Sequence, residues 1–153
     1  MSREPQPRRE NYQTKRLFVG QLRMGSDLYD SVSKICIQED IKIGRVTALG
    51  AVSQATVAYF DQKKKTYLPI TFKKQLEILN CTGNVSVRDG KPFVHMHATF
   101  SDRKGNAFGG HVTPGTTVFA CELTIEEFEG DLLERNLEEK SGLNLWGKKS
   151  TLI

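Results

Sequence analysis

The chain has three histidines in its 153 residues, and all three fall between positions 95 and 111. His95 and His97 stand two apart in FVHMHATF, Phe93 to Phe100. On a strand both imidazoles project from one face, while Val94, Met96 and Ala98 take the other. Such a pair presents two neutral nitrogen ligands to one ion. The third histidine depends on the turn that follows, Ser101-Asp102-Arg103-Lys104-Gly105-Asn106. A three-residue loop Arg103-Lys104-Gly105, with Gly105 left-handed in a bulge, pairs Asp102 with Asn106 and therefore His97 with His111. All three rings then share a face, with cross-strand Cβ atoms about 5 Å apart. A loop of two or four residues shifts the register by one and sends His111 to the opposite face. Gly109 and Gly110 are expected to leave the neighbouring surface bare, with room for an ion, a solvent ligand or a close partner.

Three imidazoles on a β scaffold suit zinc, with a fourth position for water or substrate. Nickel, copper or iron also accept imidazole. The bland alternative is that one or two of these histidines are ordinary core or surface residues. No carboxylate stands out as a base: Glu122 and Glu77, on other strands, read as salt-bridge partners. No Ser-His-Asp set, P-loop or dinucleotide fingerprint is present, so catalytic residues stay unassigned.

The elements that must hold these residues are mostly strands. Lys15 to Leu22 reads as a first strand. Ser26 or Asp27 then caps a helix running to about Asp40, with Leu28, Val32, Ile35 and Cys36 on one face and Gly44 as its stop signal. From Arg45 a strand pattern runs to Phe60, with a bulge or kink at Gly50. Tyr67 to Phe72 is a short strand that Pro69 places at an edge. Gln75 to Arg88 continues the sheet past Gly83, and Asp89-Gly90 signals a hairpin. Phe93 to Phe100, Ala107 to Val112 and Thr116 to Ile125 are three more strands. Asp131 to Glu139 reads as a polar helix ended by Gly142, leaning on a surface through Leu132, Leu133 and Leu137, and Leu143, Leu145 and Trp146 form a last apolar patch. The expected fold is α/β of the α+β type: a mixed, mostly antiparallel sheet with one long helix packed on it and a short C-terminal helical segment. The expected organisation is a flexible arm over 1–13, one domain over 14–147 and a tail over 148–153.

Composition narrows the function classes. Apolar residues make 38% and charged residues 26%, which fits a globular chain and excludes a disordered one. No apolar run approaches the roughly 20 residues of a membrane helix, and the polar start lacks a secretory signal. Cys36, Cys81 and Cys121 have no CxxC spacing and sit among apolar neighbours, so buried free thiols and a cytoplasmic location are expected. The net charge of +4 is uneven. Glu122 to Lys140 holds eight acidic and two basic residues, a net of −6, leaving +10 on the rest. This permits an acidic partner such as DNA without demanding one. Lys63-Lys64-Lys65 reads as a loop tip.

A family resemblance runs through these motifs. Glu77-Ile78-Leu79 with Gly83-Asn84-Val85, Asp89-Gly90-Lys91-Pro92, His95-Met96-His97-Ala98, Gly105, Gly109-Gly110-His111 and Val118 through Glu122 resemble the core of the PPC (plant and prokaryote conserved) domain. Upstream, Gly25-Ser26-Asp27-Leu28 is similar to the family's GEDL helix start, and Leu49-Gly50-Ala51-Val52 to its IGA strand. Leu133-Glu134-Arg135 with Ser141-Gly142-Leu143 resembles its closing segment. Gln21 stands where the family often has arginine, Ser26 replaces the glutamate, and no AT-hook is present. The resemblance implies an antiparallel-rich α/β fold, a homotrimer, and a metal site at His95, His97 and His111. The expected function is a stand-alone, homotrimeric, zinc-binding module with a DNA-associated or regulatory role. The alternative is a metal-dependent enzyme using an open zinc site.

Overall fold

A computed structural model describes residues 11–147. The chain order is β1 (Gln13–Leu22), α1 (Leu28–Gln38), β2 (Gly44–Asp61), β3 (Thr66–Phe72), β4 (Leu76–Arg88), β5 (Lys91–Ser101), β6 (Ala107–Val112), β7 (Thr117–Glu129), β8 (Arg135–Glu138) and β9 (Leu143–Trp146). The main sheet runs β1-β7-β2-β4-β5-β6, with β3 beside β2. Every pairing between these strands is antiparallel. The expected mostly antiparallel α+β architecture is therefore present.

The 18-residue strand β2 organises the sheet. Its first half pairs with β4 across a bulge at Ala48/Gly50, as the Gly50 signal implied, and with β7, where the register shifts at Ala51/Val52 and Val52/Gln54. Its second half carries β3, and Val57 and Ala58 also meet Val112 and His111 of β6. This contact bends the sheet back on itself, with β2 lying between β3 and β6 at Ala58. Pro69 sits opposite Ala58 in β3, whose only partner in the sheet is β2, so its missing N–H disrupts no inner ladder.

The helix packs on the face where Val94, Met96, Ala98 and Phe100 alternate inward from β5. Leu28, Val32 and Cys36 are fully buried there, joined by Val46, Val85 and Ile125. Asp27 starts the helix: its Oδ1 accepts from the Asp30 amide at 2.9 Å. Its Oδ2 accepts from the Gly115 and Thr116 amides at 2.6 and 2.9 Å, tying the helix start to the loop before β7.

Two expectations about helices are corrected. The helix is not long: it has 11 residues and ends well before Gly44. Asp40 takes the left-handed conformation at φ 51°, and the Ile41 amide reaches back to the Cys36 carbonyl at 2.8 Å, which closes the last turn. Gly44 instead opens β2, where a Cβ would lie 2.6 Å from the Glu126 carbonyl oxygen.

The C-terminal helical segment is absent, replaced by the two-stranded β8–β9 hairpin. Leu132 and Leu137 are 49% and 65% exposed, so no apolar stripe is buried to stabilise a helix. Glu134 and Glu138 would repel at i,i+4. The Val87 amide instead donates to the Leu133 carbonyl at 2.9 Å, aligning this segment beside β4. The Glu138 carboxylate accepts from the Ser141 amide at 2.8 Å, and Gly142 at φ 74° completes the turn.

At the N-terminus, Gln13 already pairs with Glu129, and the Tyr12 hydroxyl donates to the Asp131 carbonyl. The remainder of the expected arm, 1–10, and the tail at 148–153 lie outside the described residues. No described helix is long and apolar enough to cross a membrane.

Replacing Asp27 by Ala removes a helix cap and the partner of two loop amides. It is expected to destabilise the fold by about 2–4 kcal/mol in urea unfolding. Asp30→Ala leaves both functions in place and is expected to cost well under half as much.

Candidate metal centre

The β5–β6 turn decides where the third histidine goes. Asp102 Oδ1 accepts from the Lys104 and Asn106 amides at 2.9 and 3.1 Å, and its Oδ2 accepts from Lys74 Nζ at 3.0 Å. The Gly105 amide donates to the Asp102 carbonyl at 2.8 Å, with Gly105 at φ 79°. This is the expected three-residue loop with a left-handed glycine. It sets Ser101 opposite Ala107 and, four residues on, His97 opposite His111.

The structure brings all three expected residues together. One ring nitrogen from each of His95, His97 and His111 lies within 4.8 Å of the others. His95 Nε2 and His97 Nε2 are 3.1 Å apart. Two imidazole nitrogens on one tetrahedral zinc at 2.0–2.1 Å would stand about 3.3 Å apart, so this pair has nearly the required spacing. Ring centroids are separated by 5.0 Å for His95–His97, 4.9 Å for His95–His111 and 5.4 Å for His97–His111. His97 is exposed and the other two are half-buried.

Burial also keeps the rings in the ligand-competent form. The pKa values of His95 and His111 are both pushed down to about 4, chiefly by desolvation and then by neighbouring positive charge. Both rings are therefore neutral near pH 7 and each offers a lone pair. The buried Nδ1 of His111 has no hydrogen-bond partner among the described residues. The donor set thus fits a transition metal, and an all-imidazole set is borderline between soft and hard, as zinc prefers.

Gly109 and Gly110 serve a different purpose from the one expected. A Cβ on Gly109 would run into the Ala98 carbonyl oxygen, and one on Gly110 would lie 2.9 Å from the Ala58 carbonyl oxygen. These glycines permit close strand approach on both sides of β6. They hold His111 against β5 and β2, and do not clear space for a ligand.

The expected bystanders stand apart. Glu77 lies opposite Ala51 and Ser101, and Glu122 opposite Gln21 and Leu49. Among the described residues neither carboxylate forms an ion pair, so neither is the salt-bridge partner expected. Cys36, Cys81 and Cys121 are free and buried, with burial raising their pKa values to about 12, 12 and 11. They are core thiols.

Two residues beside the cluster carried no sequence signal strong enough to single them out. Tyr67 of β3 faces the His111 ring at 4.8 Å between centroids. Arg135 of β8 reaches within 3.4 Å of His95 Nδ1 through its Nη2. Its signal was its position as one of two basic residues in the acid-rich stretch. These side chains border a cavity of about 240 Å³ against the histidines, closed on one side by Gly142 to Leu145.

Comparison with known proteins agrees with this picture. A solved metal-containing protein from Archaeoglobus fulgidus superposes with a TM-score of 0.86 at 34% identity, covering 92% of this chain and 99% of that one. A protein from Bacteroides thetaiotaomicron, provisionally described as DNA-binding, superposes with a TM-score of 0.81 at 25% identity, covering 89% and 96%. The bifunctional protein GlmU of a Synechococcus strain is 32% identical over 117 residues, 76% of this chain. The chain spans only about 17% of the length of that relative. The Plants and Prokaryotes Conserved (PCC) domain matches residues 9–129, and with the fold and histidine register in place this chain belongs to that family.

Proposed function

We propose that this protein is a homotrimeric module that holds one transition-metal ion, zinc by its donor chemistry, on His95, His97 and His111, in a DNA-associated or regulatory role. The observation that carries the metal reading is the convergence of three ring nitrogens within 4.8 Å on one hairpin. The relative from Archaeoglobus fulgidus described as metal-containing supports it.

Self-association is supported by the outer face of the sheet. Val19, Leu49, Leu79 and Phe119 are 75%, 55%, 55% and 56% exposed on four neighbouring strands, β1, β2, β4 and β7. These apolar side chains are interleaved with polar ones such as Thr124 and Glu122, a mixed face that a second copy of the chain could cover. The DNA-associated role is supported by the description given to the Bacteroides relative. The helix of this chain buries one face in the core, so contact with DNA would run through phosphate charge and weaken steeply with salt.

The second reading is a metal-dependent enzyme. It is favoured by the cavity beside the cluster and by the exposure of His97. In an open site zinc supplies Lewis acidity and lowers the pKa of a water to about 7. The residues of this chain would hold the ion and orient a ligand in the cavity.

Elemental analysis of untagged protein is expected to give one metal per chain. His97→Ala should lower metal affinity by at least about tenfold and remove the stabilisation that the metal confers. A metal-free preparation whose thermal stability is indifferent to added zinc and to His97→Ala would overturn the reading.

The metal-free protein is expected to lose stability as pH falls from about 6.5 to about 4.5. In that window the unfolded chain protonates His95 and His111 while the folded chain, with both held at about 4, does not. The double variant His95→Gln/His111→Gln should flatten this part of a chemical-denaturation pH profile. The acid-side losses from Asp102, Glu126 and Glu127, whose pKa values are lowered by their partners, fall below that window.

Light scattering should return the mass of three chains for the wild type. Paired Val19→Asp and Leu49→Asp substitutions should return that of one. An unchanged mass in the pair would remove this face from the assembly.

A further inference from the structure

The cavity against the histidine cluster holds positive charge that its walls do not neutralise. Arg135 is half-buried there, and every hydrogen-bond partner it has is neutral. Its Nε donates to Ser86 Oγ at 2.7 Å, its Nη1 to the Asn144 carbonyl at 2.9 Å and its Nη2 to Asn84 Oδ1 at 2.9 Å. Its guanidinium lies over Phe93 and Trp146, at 5.3 and 5.5 Å. No described carboxylate forms an ion pair with it. Arg88, on the same wall, lies over Phe93 at 5.3 Å and pairs with Asp89 at 3.5 Å, whose side chain is 88% exposed. No acidic residue among those described borders the cavity.

Desolvating a cation without a counter-charge is costly even when it is half-buried, and an anion bound beside it would offset that cost. The guanidinium fork has five N–H donors. Ser86, Asn144, Asn84 and His95 engage four of them, which leaves one Nη1 donor for a ligand.

The histidine beside it adds a second reason. His95 Nδ1 stands 3.4 Å from Arg135 Nη2, while its Nε2 meets His97. In the metal-free ring Nδ1 can accept from the guanidinium. With Nε2 given to an ion, the one ring proton sits on Nδ1 and faces Arg135 donor to donor. An oxygen anion accepting from both groups resolves that conflict and offsets the combined charge of the ion and two arginines. The chemistry of such a ligand is that of a small carboxylate or phosphate, since arginine forks match both.

We propose that the cavity bounded by Arg135, Arg88 and His95 is a binding site for a small oxyanion, and that oxyanion and metal bind cooperatively. The proposal rests on the metal reading of the three histidines. It names the class of ligand that the site takes, whether that ligand is a substrate or an effector.

The test is calorimetric titration of the full chain with inorganic phosphate and, separately, with malonate. Both titrations are run on zinc-loaded and metal-free protein, with zinc content measured in the same samples. The expected result is saturable binding of one anion per chain, at least about tenfold tighter with zinc bound, with zinc affinity raised by the same factor when the anion is present. The tighter of the two anions identifies the phosphate or carboxylate source. Arg135→Gln should abolish binding. Because Arg135 also docks the β8–β9 hairpin, Arg88→Gln supplies the variant that leaves the hairpin's hydrogen bonds intact, and it should weaken binding several-fold. A zinc-loaded protein that binds neither anion at about 10 mM overturns the proposal and leaves the metal reading standing. Equal anion affinity in wild type and both arginine variants also overturns it. A protein that takes up no zinc sinks the metal reading, and the cooperative site with it.

Discussion

The cluster depends on a constraint at one turn. Strand side chains alternate with period two, so a one-residue slip between β5 and β6 would carry His111 to the helix-covered face. Asp102 prevents the slip by gathering the Lys104 and Asn106 amides while Lys74 steadies its other oxygen. The other end of β5 is fixed by Asp89 and Gly90, at φ 52° and 75°, a pair of left-handed residues that a tight hairpin requires. Between these turns the core takes Val94, Met96, Ala98 and Phe100, which leaves His95 and His97 no choice of face. The same packing that makes the protein stable therefore orients the imidazoles, and no separate device is needed.

This is why so much of the candidate site was legible. Loop length, glycine position and the period of the strand are local properties, and each leaves a mark in sequence. The helix start at Asp27 and the edge position of Pro69 are legible for the same reason. The errors fall where the outcome is decided by distant partners. Helix length was misjudged because the left-handed turn is made by Asp40, a residue that tolerates that conformation without announcing it. The stretch around Arg135 has a composition compatible with a polar helix, and only the Leu133 carbonyl beside the Val87 amide and the reach of Arg135 to Asn84 and Ser86 convert it to a strand. The purpose of Gly109 and Gly110 was equally out of reach, since it depends on the carbonyls of Ala98 and Ala58 in two other strands.

The uneven charge takes on a different meaning in three dimensions. Two of the eight acids of the acidic stretch are held by cations of neighbouring strands. Glu126 is held by Arg45 and Thr14, and Glu127 by Lys15 and Arg16 of the adjacent strand. Much of the acid in β7 is therefore neutralised within the sheet, which reduces both the negative end and the basic body seen in the linear count. Charge asymmetry along a chain is thus a poor guide to a partner when neighbouring strands draw on opposite signs.

Arg135 is a half-buried cation outside this pairing, and its position follows from the same topology. Residues of β7 have basic neighbours on β1 and β2, whereas β8 docks beside β4, where Asn84 and Ser86 offer neutral acceptors. A guanidinium can be accommodated there only because three polar oxygens and two aromatic faces share its solvation. Those contacts fix its direction without cancelling its charge. The result is a wall with an oriented positive group beside three imidazoles, two of which burial keeps neutral. Arg135 docks the β8–β9 hairpin through these contacts and in doing so sets a positive charge beside the three imidazoles. For the metal site we propose, a guanidinium at the edge of the cluster would favour an ion that arrives together with negative charge, which a ligand-binding centre requires and a structural clip on a hairpin does not.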